Sequence, residues 1–371
     1  MRVLAVNAGS SSLKLRLLGD TEQIVASADL AADSTGFDTS ALAEVLRSWE
    51  RPDVVGHRIV HGGTEFAGPV RIDAAVKQRI RDLSDLAPLH QPKSLAGVDA
   101  ISAFLPGVPA VACFDTAFHT TISPAAATYA VPADWRRKYG IRRYGFHGLS
   151  HAYSSRRAAD LLIRSPQGLR VITCHLGAGA SLCAVVTGRS VDTTMGFTPL
   201  EGLVMATRSG TVDPGLVLWL EEHEELTPHE VADALEHHSG LLALAGTSDM
   251  REVQARAQRG DPEARLGLGV YLHRLASGIG AMAVAAGGMD ALVFTGGVGE
   301  HFPAIRQRIA DRLAWLGLGV DAALNRADRD LENGTTDDRE ITAGTASVRT
   351  LVITAREDLQ IAREARNLLG W

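Results

Sequence analysis

RVITCHLGAGAS, residues 170–181, has the same pattern as RVLAVNAGSSSL, residues 2–13. Both begin with Arg-Val, continue through apolar residues typical of a buried strand, and reach a glycine at the same offset, Gly9 and Gly177. Both then continue into a second apolar run, LKLRLL and LCAVVTG. The sequence therefore predicts a strand, a tight turn of small residues and a second strand, and it predicts this arrangement twice.

Composition indicates an ordinary globular protein. A chain of 371 residues is long enough for two domains with separate cores, and 46% hydrophobic with 22% charged residues is typical of a soluble protein. The net charge of −6 gives no reason to expect nucleic acid or a membrane as partner. Three cysteines without a CxxC pair predict reduced thiols in the cytoplasm. The most apolar stretch, 275–297, is rich in Ala and Gly and predicts a packed helix followed by a buried strand.

Apolar runs of strand length recur along the chain and are separated by helical patterns, which predicts an α/β protein. The last residues, 357–371, have the apolar spacing of an amphipathic helix. No low-complexity linker divides the chain, so we expect two lobes joined by short crossings, with a hinged cleft.

Glycine-rich turns are the main candidates for ligand binding. The chain has no GxxxxGK[ST], no GxGxxG after a strand, and no HExxH or GxSxG motif. It does have NAGSSS, HLGAGAS and FTGGVGEH at predicted strand ends. Glycine lets backbone N–H groups approach a phosphate closely. One such turn is more often a plain hairpin, but three of them favour a nucleotide held between two lobes.

Polar side chains cluster where strands or turns should end. They include Arg58, Asp115, His119, His147, His151, Arg208, Asp213, Asp249 and Arg251. Each taken alone is more often a solvated side chain or a turn residue. Arginines, histidines and carboxylates together among glycine-rich turns indicate phosphoryl transfer between anions, which needs positive charge, a metal and in-line positioning.

These segments resemble the acetate kinases, a family of the acetate and sugar kinase, Hsp70 and actin superfamily. The resemblance extends over nearly the whole chain through VNAGSSSLK, GHRIVHGGTEF, LAPLH, FDTAFH, RRYGFHGLSH, TPLEGLVMATRSG, HHSGLLALAG and EDLQIARE. It implies an α/β, two-lobed, actin-like (ribonuclease H-like) fold of duplicated βββαβαβα units with the nucleotide in the interlobe cleft. The lobes implied are residues 1–118 plus 359–371 and residues 119–358.

The resemblance also implies an activity. The reaction is reversible phosphoryl transfer from ATP to acetate, giving acetyl phosphate and ADP, with Mg²⁺ or, as a second choice, Mn²⁺. A cytoplasmic homodimer is implied as well. Two alternatives stay open: a kinase for propionate or butyrate, and a weakly catalytic nucleotide-binding paralogue. A sugar or polyol kinase is disfavoured because Arg58 and Arg208 suit an anionic acceptor.

Residue roles follow from the resemblance. Asn7 and Glu357 would lie near the metal, and Lys14 near the nucleotide phosphates. Arg58 and Arg208 would bind the carboxylate and the transferring phosphoryl group. His147 would stabilise the transition state, and the phosphate path would be lined by His90 and His175. The nucleotide would be held by His175, Leu176, Gly177, Ala178, Gly179, Asp249, Met250, Arg251, Gly297, Val298, Gly299, Glu300 and His301. The methyl pocket would be formed by Val60, Leu89, Phe146 and Pro199.

Asp115 would be the catalytic carboxylate. Because a carboxylic acid is already ionised at pH 7, the substrate needs no base, and we expect Asp115 to orient the metal or an arginine. Several positions depart from the family pattern, namely Ala178, Gln91, Leu149, His301, Arg356 and Thr211. They affect nucleotide turns and neighbouring positions, so we expect them to alter nucleotide preference and turnover more than the class of reaction.

Overall fold

The chain folds into two units, each built around one mixed sheet. The computed structural model describes residues 1–9, 12–33, 36–87, 91–326 and 338–371. The first unit comprises Met1–Thr120, Phe146–Tyr153 and Arg356–Trp371, and the second comprises Thr121–Gly145 and Ser154–Ala355. The lobe boundaries predicted after residues 118 and 358 stay a prediction.

Seven strands form the sheet of the first unit in the order β4-β3-β2-β1-β5-β7-β6. They are β1 (Val3–Ala8), β2 (Ser12–Leu18), β3 (Ile24–Asp33), β4 (Gly36–Phe37), β5 (Val54–Ile59), β6 (Val70–Arg71) and β7 (Ala110–Phe114). β1 pairs antiparallel with β2, and β2 with β3, whereas β5 is parallel to both β1 and β7. The carboxyl ends of β1, β5 and β7 therefore lie at one edge of the sheet.

The sheet of the second unit repeats this arrangement, in the order β10-β9-β8-β11-β13-β12. Its strands are β8 (Arg170–Leu176), β9 (Ala180–Val186), β10 (Arg189–Thr193), β11 (Ala291–Thr295), β12 (Arg339–Glu340) and β13 (Arg349–Val352). β8, β9 and β10 are antiparallel neighbours, and β11 is parallel to β8 and β13. The order β3-β2-β1-β5-β7 thus matches β10-β9-β8-β11-β13, which confirms the predicted duplication and fold class.

Helices connect and cover the strands. They are α1 (Thr39–Ser48), α2 (Ala74–Asp82), α3 (Gln91–Phe104), α4 (Pro124–Ala127), α5 (Ala133–Tyr139), α6 (Gly148–Leu161), α7 (Pro214–His223), α8 (Pro228–His237), α9 (Gly240–Ala245), α10 (Met250–Gln258), α11 (Pro262–Ala285), α12 (Gly296–His301), α13 (Pro303–Arg312), α14 (Ala322–Arg326) and α15 (Glu357–Leu369). Short 3₁₀ turns occupy Ser84–Leu86, Ala117–Thr121 and Ala314–Leu316. α15 packs on β1, β5 and β7, so the end of the chain completes the first unit.

The central strand of the second sheet is fully buried. β11 is buried at every position, as expected for a central strand with both faces of its sheet covered. α11 is the one helix among the described residues that is long and apolar enough to cross a membrane, a test that core helices also pass. It packs against α9, α10 and β9 with Leu268, Leu272 and Leu275 buried. The predicted packed helix followed by a buried strand is therefore confirmed.

Candidate active site

Arg58 and Asp115 form a buried ion pair at the carboxyl edge of the first sheet. Arg58 lies on β5, and Asp115 directly follows the neighbouring parallel strand β7. The guanidinium Nε donates to both carboxylate oxygens at 3.1 and 3.0 Å, and Nη2 donates to Oδ2 at 2.6 Å. The Asp115 side chain is 1% exposed and that of Arg58 17%. Such a two-pronged, charge-assisted contact fixes both the position and the orientation of the arginine.

Asn7 and Glu357 extend this pair into a network. Arg58 Nη1 donates to Asn7 Oδ1 at 3.1 Å, and Asn7 Nδ2 donates to Glu357 Oε2 at 2.8 Å. Arg58 Nη1 lies 3.6 Å from Glu357 Oε2. Asn7 is on β1, beside β5, and Glu357 opens α15. The structure thus brings together four residues that the sequence analysis assigned to the site from positions far apart in the chain.

Electrostatics keep the arginine charged. Burial alone would lower the pKa of Arg58, but the carboxylates of Asp115 and Glu357 raise it above the ordinary value. Burial raises the pKa of Asp115 from the usual carboxyl value, and the Arg58 guanidinium opposes this shift. A permanently charged cation is therefore held at the strand ends by acidic neighbours.

The segment Phe146–Gly148 is fixed on the same strand ends. The Gly148 N–H donates to the carbonyl oxygen of Asp115 at 2.9 Å, and His119 Nε2 lies 3.0 Å from the carbonyl oxygen of Phe146. A Cβ at position 148 would come within 2.1 Å of the Asp115 oxygen, so only glycine allows this approach. His147 has φ of 56°, a left-handed conformation that non-glycine residues adopt at a cost. Strained backbone next to Asp115 is consistent with a functional position.

Buried histidines surround this segment. The His61 ring lies edge-on to the Phe146 ring, with 5.5 Å between the ring centroids. The ring centroids of His119 and His151 are 5.8 Å apart. Burial lowers the pKa of His61 and of His119 to about 4, so both are neutral at pH 7. The sequence analysis did not assign His61 to the site; its position three residues after Arg58 was the available signal.

The other described residues of the first unit that were predicted for the site lie outside the hydrogen-bond network of Arg58. Lys14 on β2 is exposed, and its backbone lies opposite that of Asn7 in the β1–β2 hairpin. Val60 and Phe146 are buried in the first unit. Leu89 and His90 lie outside the described residues. Gln91, which is expected to depart from the family pattern, has a structural role, because its side chain donates to the carbonyl oxygen of His61 at 2.8 Å and accepts from the His61 N–H at 3.3 Å.

In the second unit, the two predicted nucleotide turns are neighbours. His175–Gly179 forms the β8–β9 turn, closed by a hydrogen bond of 2.9 Å from the Gly177 N–H to the Gly179 oxygen. His175 pairs with Thr295 of β11, where the second turn begins. Gly296 has φ of 77°, and a Cβ there would come within 2.8 Å of the Leu176 oxygen. Glycine is therefore required for α12 to start against the end of β8.

Glu300 and Arg306 hold α12 through hydrogen bonds to backbone groups at its two ends. Glu300 Oε1 accepts from the Gly296 N–H at 2.8 Å and from the Ala355 N–H at 2.9 Å. Burial raises the pKa of Glu300, and these two hydrogen bonds oppose the shift. Arg306, 1% exposed, donates through Nη1 to the carbonyl oxygens of Gly299 at 2.8 Å and Glu300 at 2.7 Å. Arg306 was not predicted as a site residue, because in sequence it looks like any arginine on an amphipathic helix.

Arg208 and Asp249 complete the predicted residues of the second unit. Arg208 Nη1 donates to the carbonyl oxygen of Pro199 at 3.3 Å, and burial lowers the Arg208 pKa against the opposing charge of Glu236. Asp249 caps α10, accepting from the Arg251 N–H at 2.9 Å, and its carboxylate also pairs with the Arg251 guanidinium. Met250 is buried at the start of α10.

Comparison with known proteins identifies the family. The model of the Acetokinase family matches residues 20–363. The whole chain is 42% identical to the acetate kinase of Fervidobacterium nodosum and covers 98% of it. Solved structures of an acetate kinase from Porphyromonas gingivalis and a propionate kinase from Francisella tularensis share the fold over 99% of both chains. Their TM-scores are 0.88 and 0.90, and their identities are 35% and 36%.

The fold and the similarity of the chain to known acetate kinases define it as a phosphotransferase with a carboxyl group as the acceptor. The chain belongs to the acetokinase family, which uses acetate and ATP as substrates and generally a divalent metal. The predicted family, fold class and enzyme class are confirmed.

Proposed function

We propose that Arg58 is the arginine that binds the anions in a reversible transfer of the γ-phosphoryl group of ATP to acetate. The observation that carries this proposal is its network with Asp115, Asn7 and Glu357. Three of the five guanidinium N–H groups are held by these neighbours, which leaves a fixed, charged fork for a ligand. Transition-state charge in phosphoryl transfer is stabilised by cations placed in advance, and Arg58 is placed in this way.

Asp115 acts on Arg58 rather than on a proton. Acetate is ionised at pH 7 and needs no base to make it a nucleophile. The three hydrogen bonds between Arg58 and Asp115 support the role of orienting an arginine, one of the two expected from the sequence. His147 stabilises the transferring group, a role supported by its strained backbone directly before Gly148, which is bonded to Asp115. Arg208 is proposed to be the second arginine, after Arg58, that stabilises the charge of the transferring phosphoryl group.

The divalent metal is Mg²⁺, with Mn²⁺ as second choice, held near Asn7 and Glu357. Among the described residues, no three His, Cys, Asp or Glu side chains form a metal site by themselves. Mg²⁺ keeps waters and substrate phosphates among its ligands and needs only one or two protein oxygens, so a carboxylate beside an amide oxygen fits it. When bound, the metal would neutralise phosphate charge; the chain's own part is to hold Glu357 and Asn7 in contact.

The nucleotide is bound in the second unit by the turns His175–Gly179 and Gly297–His301, with Asp249–Arg251 at the start of α10. The support is that the two turns are adjacent through the paired strands β8 and β11, and that a Cβ at Gly297 would meet no atom within 4 Å, which leaves the start of α12 open to a ligand.

Acetate is the preferred acid, and its methyl group is proposed to lie against Val60 and Phe146, which are buried in the first unit. The similarity to a propionate kinase structure keeps propionate as the second candidate. The deciding experiment measures ADP release and trapped acyl phosphate with acetate, propionate and butyrate, each with Mg²⁺, Mn²⁺ or a chelator. Acetate as the best substrate supports the proposal. ATP binding without turnover of any acid would favour the weakly catalytic paralogue.

We also propose a cytoplasmic homodimer. The three cysteines are buried as free thiols, which suits a reducing compartment, and the dimer rests on the family resemblance. Sedimentation of the purified chain would test the assembly.

A further inference from the structure

A cavity of about 620 Å³ lies within the second unit between α10, α11 and α13. Its floor is apolar and includes Leu268, Leu272 and Ile305, all buried. Its rim carries Arg265, Arg308 and Arg312. This volume is in the usual range for small-molecule sites, and none of these residues has a role in the proposed reaction.

The rim concentrates positive charge that the described part of the chain does not neutralise. Arg308 and Arg312 are one helical turn apart on α13, a spacing at which like charges repel. Neither forms an ion pair or a side-chain hydrogen bond among the described residues. The rim carboxylate, Asp311, instead accepts from Gln307 Nε2 at 2.9 Å. A chain with net charge −6 thus places three arginines around one cavity.

Two further observations indicate that these groups suit an anion. Arg265 Nε donates to the carbonyl oxygen of Ala257 at 3.2 Å, which anchors its guanidinium beside the end of α10. Gln254 lines the same cavity, and its amide Nε2 is buried with no hydrogen-bond partner among the described residues. A buried donor that lacks an acceptor is unusual in a folded protein and is satisfied when a ligand oxygen enters.

We propose that this cavity is a binding site for a small phosphorylated organic anion. A phosphate group matches the guanidiniums of Arg308 and Arg312, which bind its oxygens in a forked geometry. The organic part of the ligand lies on the apolar floor. Acetate is too small to reach the floor and the rim together, so the ligand class differs from that of the acid substrate.

The position of the cavity gives the site a regulatory role. α10 begins with Met250 and Arg251, and α13 follows directly after Gly297–His301, so both nucleotide segments lead into the helices that line the cavity. A ligand held between α10 and α13 changes the affinity for nucleotide, and by linkage nucleotide changes the affinity for the ligand to the same degree. This step rests on the proposed nucleotide site; the binding of the anion does not.

The test uses fructose 1,6-bisphosphate as the probe, since it is a sugar that carries phosphate groups and, unlike a nucleotide, has no nucleobase. It is titrated by calorimetry into the ADP-saturated protein at constant ionic strength. We expect one equivalent to bind, and the double variant R308E/R312E to bind at least about tenfold more weakly, as expected when charge-assisted contacts are replaced by repulsion. The neutral variant R308Q/R312Q should fall between the two. The control is the double variant R189E/R274E, which makes the same change of net charge at two exposed positions of the second unit outside the cavity.

Three results would overturn the proposal. They are absence of binding to the wild-type protein with or without ADP, equal weakening in the control variant, which would indicate a general charge effect, and binding to the ADP-free protein that is lost in the ADP-saturated protein, which would make the cavity part of the nucleotide site. Phosphoryl transfer to acetate is measured on the same samples without the probe. Binding of the probe without any phosphoryl transfer to acetate would contradict the proposed function but would still support the anion site.

Discussion

The Gly148 N–H donates to the carbonyl oxygen of Asp115 at 2.9 Å, which fixes the start of α6 on the residue whose side chain holds Arg58. A methyl group at position 148 would lie 2.1 Å from that oxygen, so either the helix start or the end of β7 must move. Displacing catalytic groups by about 1 Å can cost about 10²-fold in rate, and we expect kcat of Gly148→Ala to fall on that scale.

The matched control for this change is Gly68→Ala, in the same unit, where an added Cβ meets no atom within 4 Å. Its kcat and melting temperature should equal those of the wild-type protein. Gly148→Ala should also lose about 1–3 kcal/mol of unfolding free energy, the usual cost of overpacking. Equal activity of the two variants would show that the contact between Gly148 and Asp115 does not position the site.

Removal of either proposed anion-binding arginine should nearly abolish turnover. Arg58→Ala and Arg208→Ala should each lower kcat by about 10³-fold or more, the scale of losing a transition-state arginine. Arg58→Ala should in addition destabilise the protein by about 3–5 kcal/mol, because it leaves Asp115 as an unpaired buried carboxyl. Retention of a tenth of wild-type activity by one variant would remove that arginine from the reaction. Steady-state kinetics and urea unfolding check both effects.

Arg58 and Asp115 also show what sequence could and could not predict. The duplicated hairpins were predictable because their strands carry runs of buried apolar residues and their turns are built from small residues. Site residues were predictable as polar groups after strands. Their mutual contacts were not, because positions 58 and 115 become neighbours only when β5 pairs with β7. His61 was missed for a similar reason, since its contact with Phe146 joins segments that are distant in sequence.

Arg306 was harder to predict, because three of its four hydrogen bonds go to backbone oxygens, which no side-chain pattern reveals, and the fourth goes to Asn325 Oδ1. Its four hydrogen bonds among the described residues go to Gly299, Glu300 and Asn325, all to neutral oxygens, and burial lowers its pKa to about 10. It therefore stays charged at pH 7 and ties the proposed nucleotide turn to α13 and α14. An arginine fully buried without a carboxylate is retained at a cost, which favours a positioning role.

Arg306→Met should raise KM for ATP about tenfold or more, since each lost hydrogen bond to a charged group is worth about 1.5–3 kcal/mol. KM for acetate should change little, and Arg306→Lys should recover part of the ATP affinity. Ile309→Val is the control: it lies buried on the same helix and costs about 0.5–1.5 kcal/mol of stability without touching the turn. A similar rise of both KM values in Arg306→Met would indicate general destabilisation instead.

Acid preference should follow the size of the pocket. Each added methylene changes binding in an apolar pocket by about 1–3 kcal/mol, so kcat/KM should decrease from acetate to propionate to butyrate. Val60 is buried directly after β5, and Val60→Ala should shift the ratio toward propionate by enlarging the site. Measured kcat/KM for the three acids checks the order. Butyrate equal to acetate would contradict the proposed substrate.

The turn HLGAGAS allows a separate test of backbone recognition. Gly177 does not have a positive φ, so the argument for glycine rests on space: a Cβ there would lie 3.3 Å from the Gly179 oxygen, and the branches of valine would extend over the turn. Gly177→Val and Gly179→Val should weaken ATP binding severely in a folded protein, measured by calorimetry.

Ala178→Asn introduces the residue that the family resemblance leads us to expect there and is the matched change within the same turn. The Ala178 carbonyl oxygen accepts from the Ala206 N–H at 3.1 Å, a backbone contact that the substitution leaves in place. The new amide adds at most one hydrogen bond to the nucleotide, which is worth about 0.5–1.5 kcal/mol of binding free energy. KM for ATP should therefore stay the same or decrease by the corresponding factor. Normal ATP affinity in both valine variants would mean that the turn is a hairpin only, and the nucleotide would then have to be held by the α12 turn and α10.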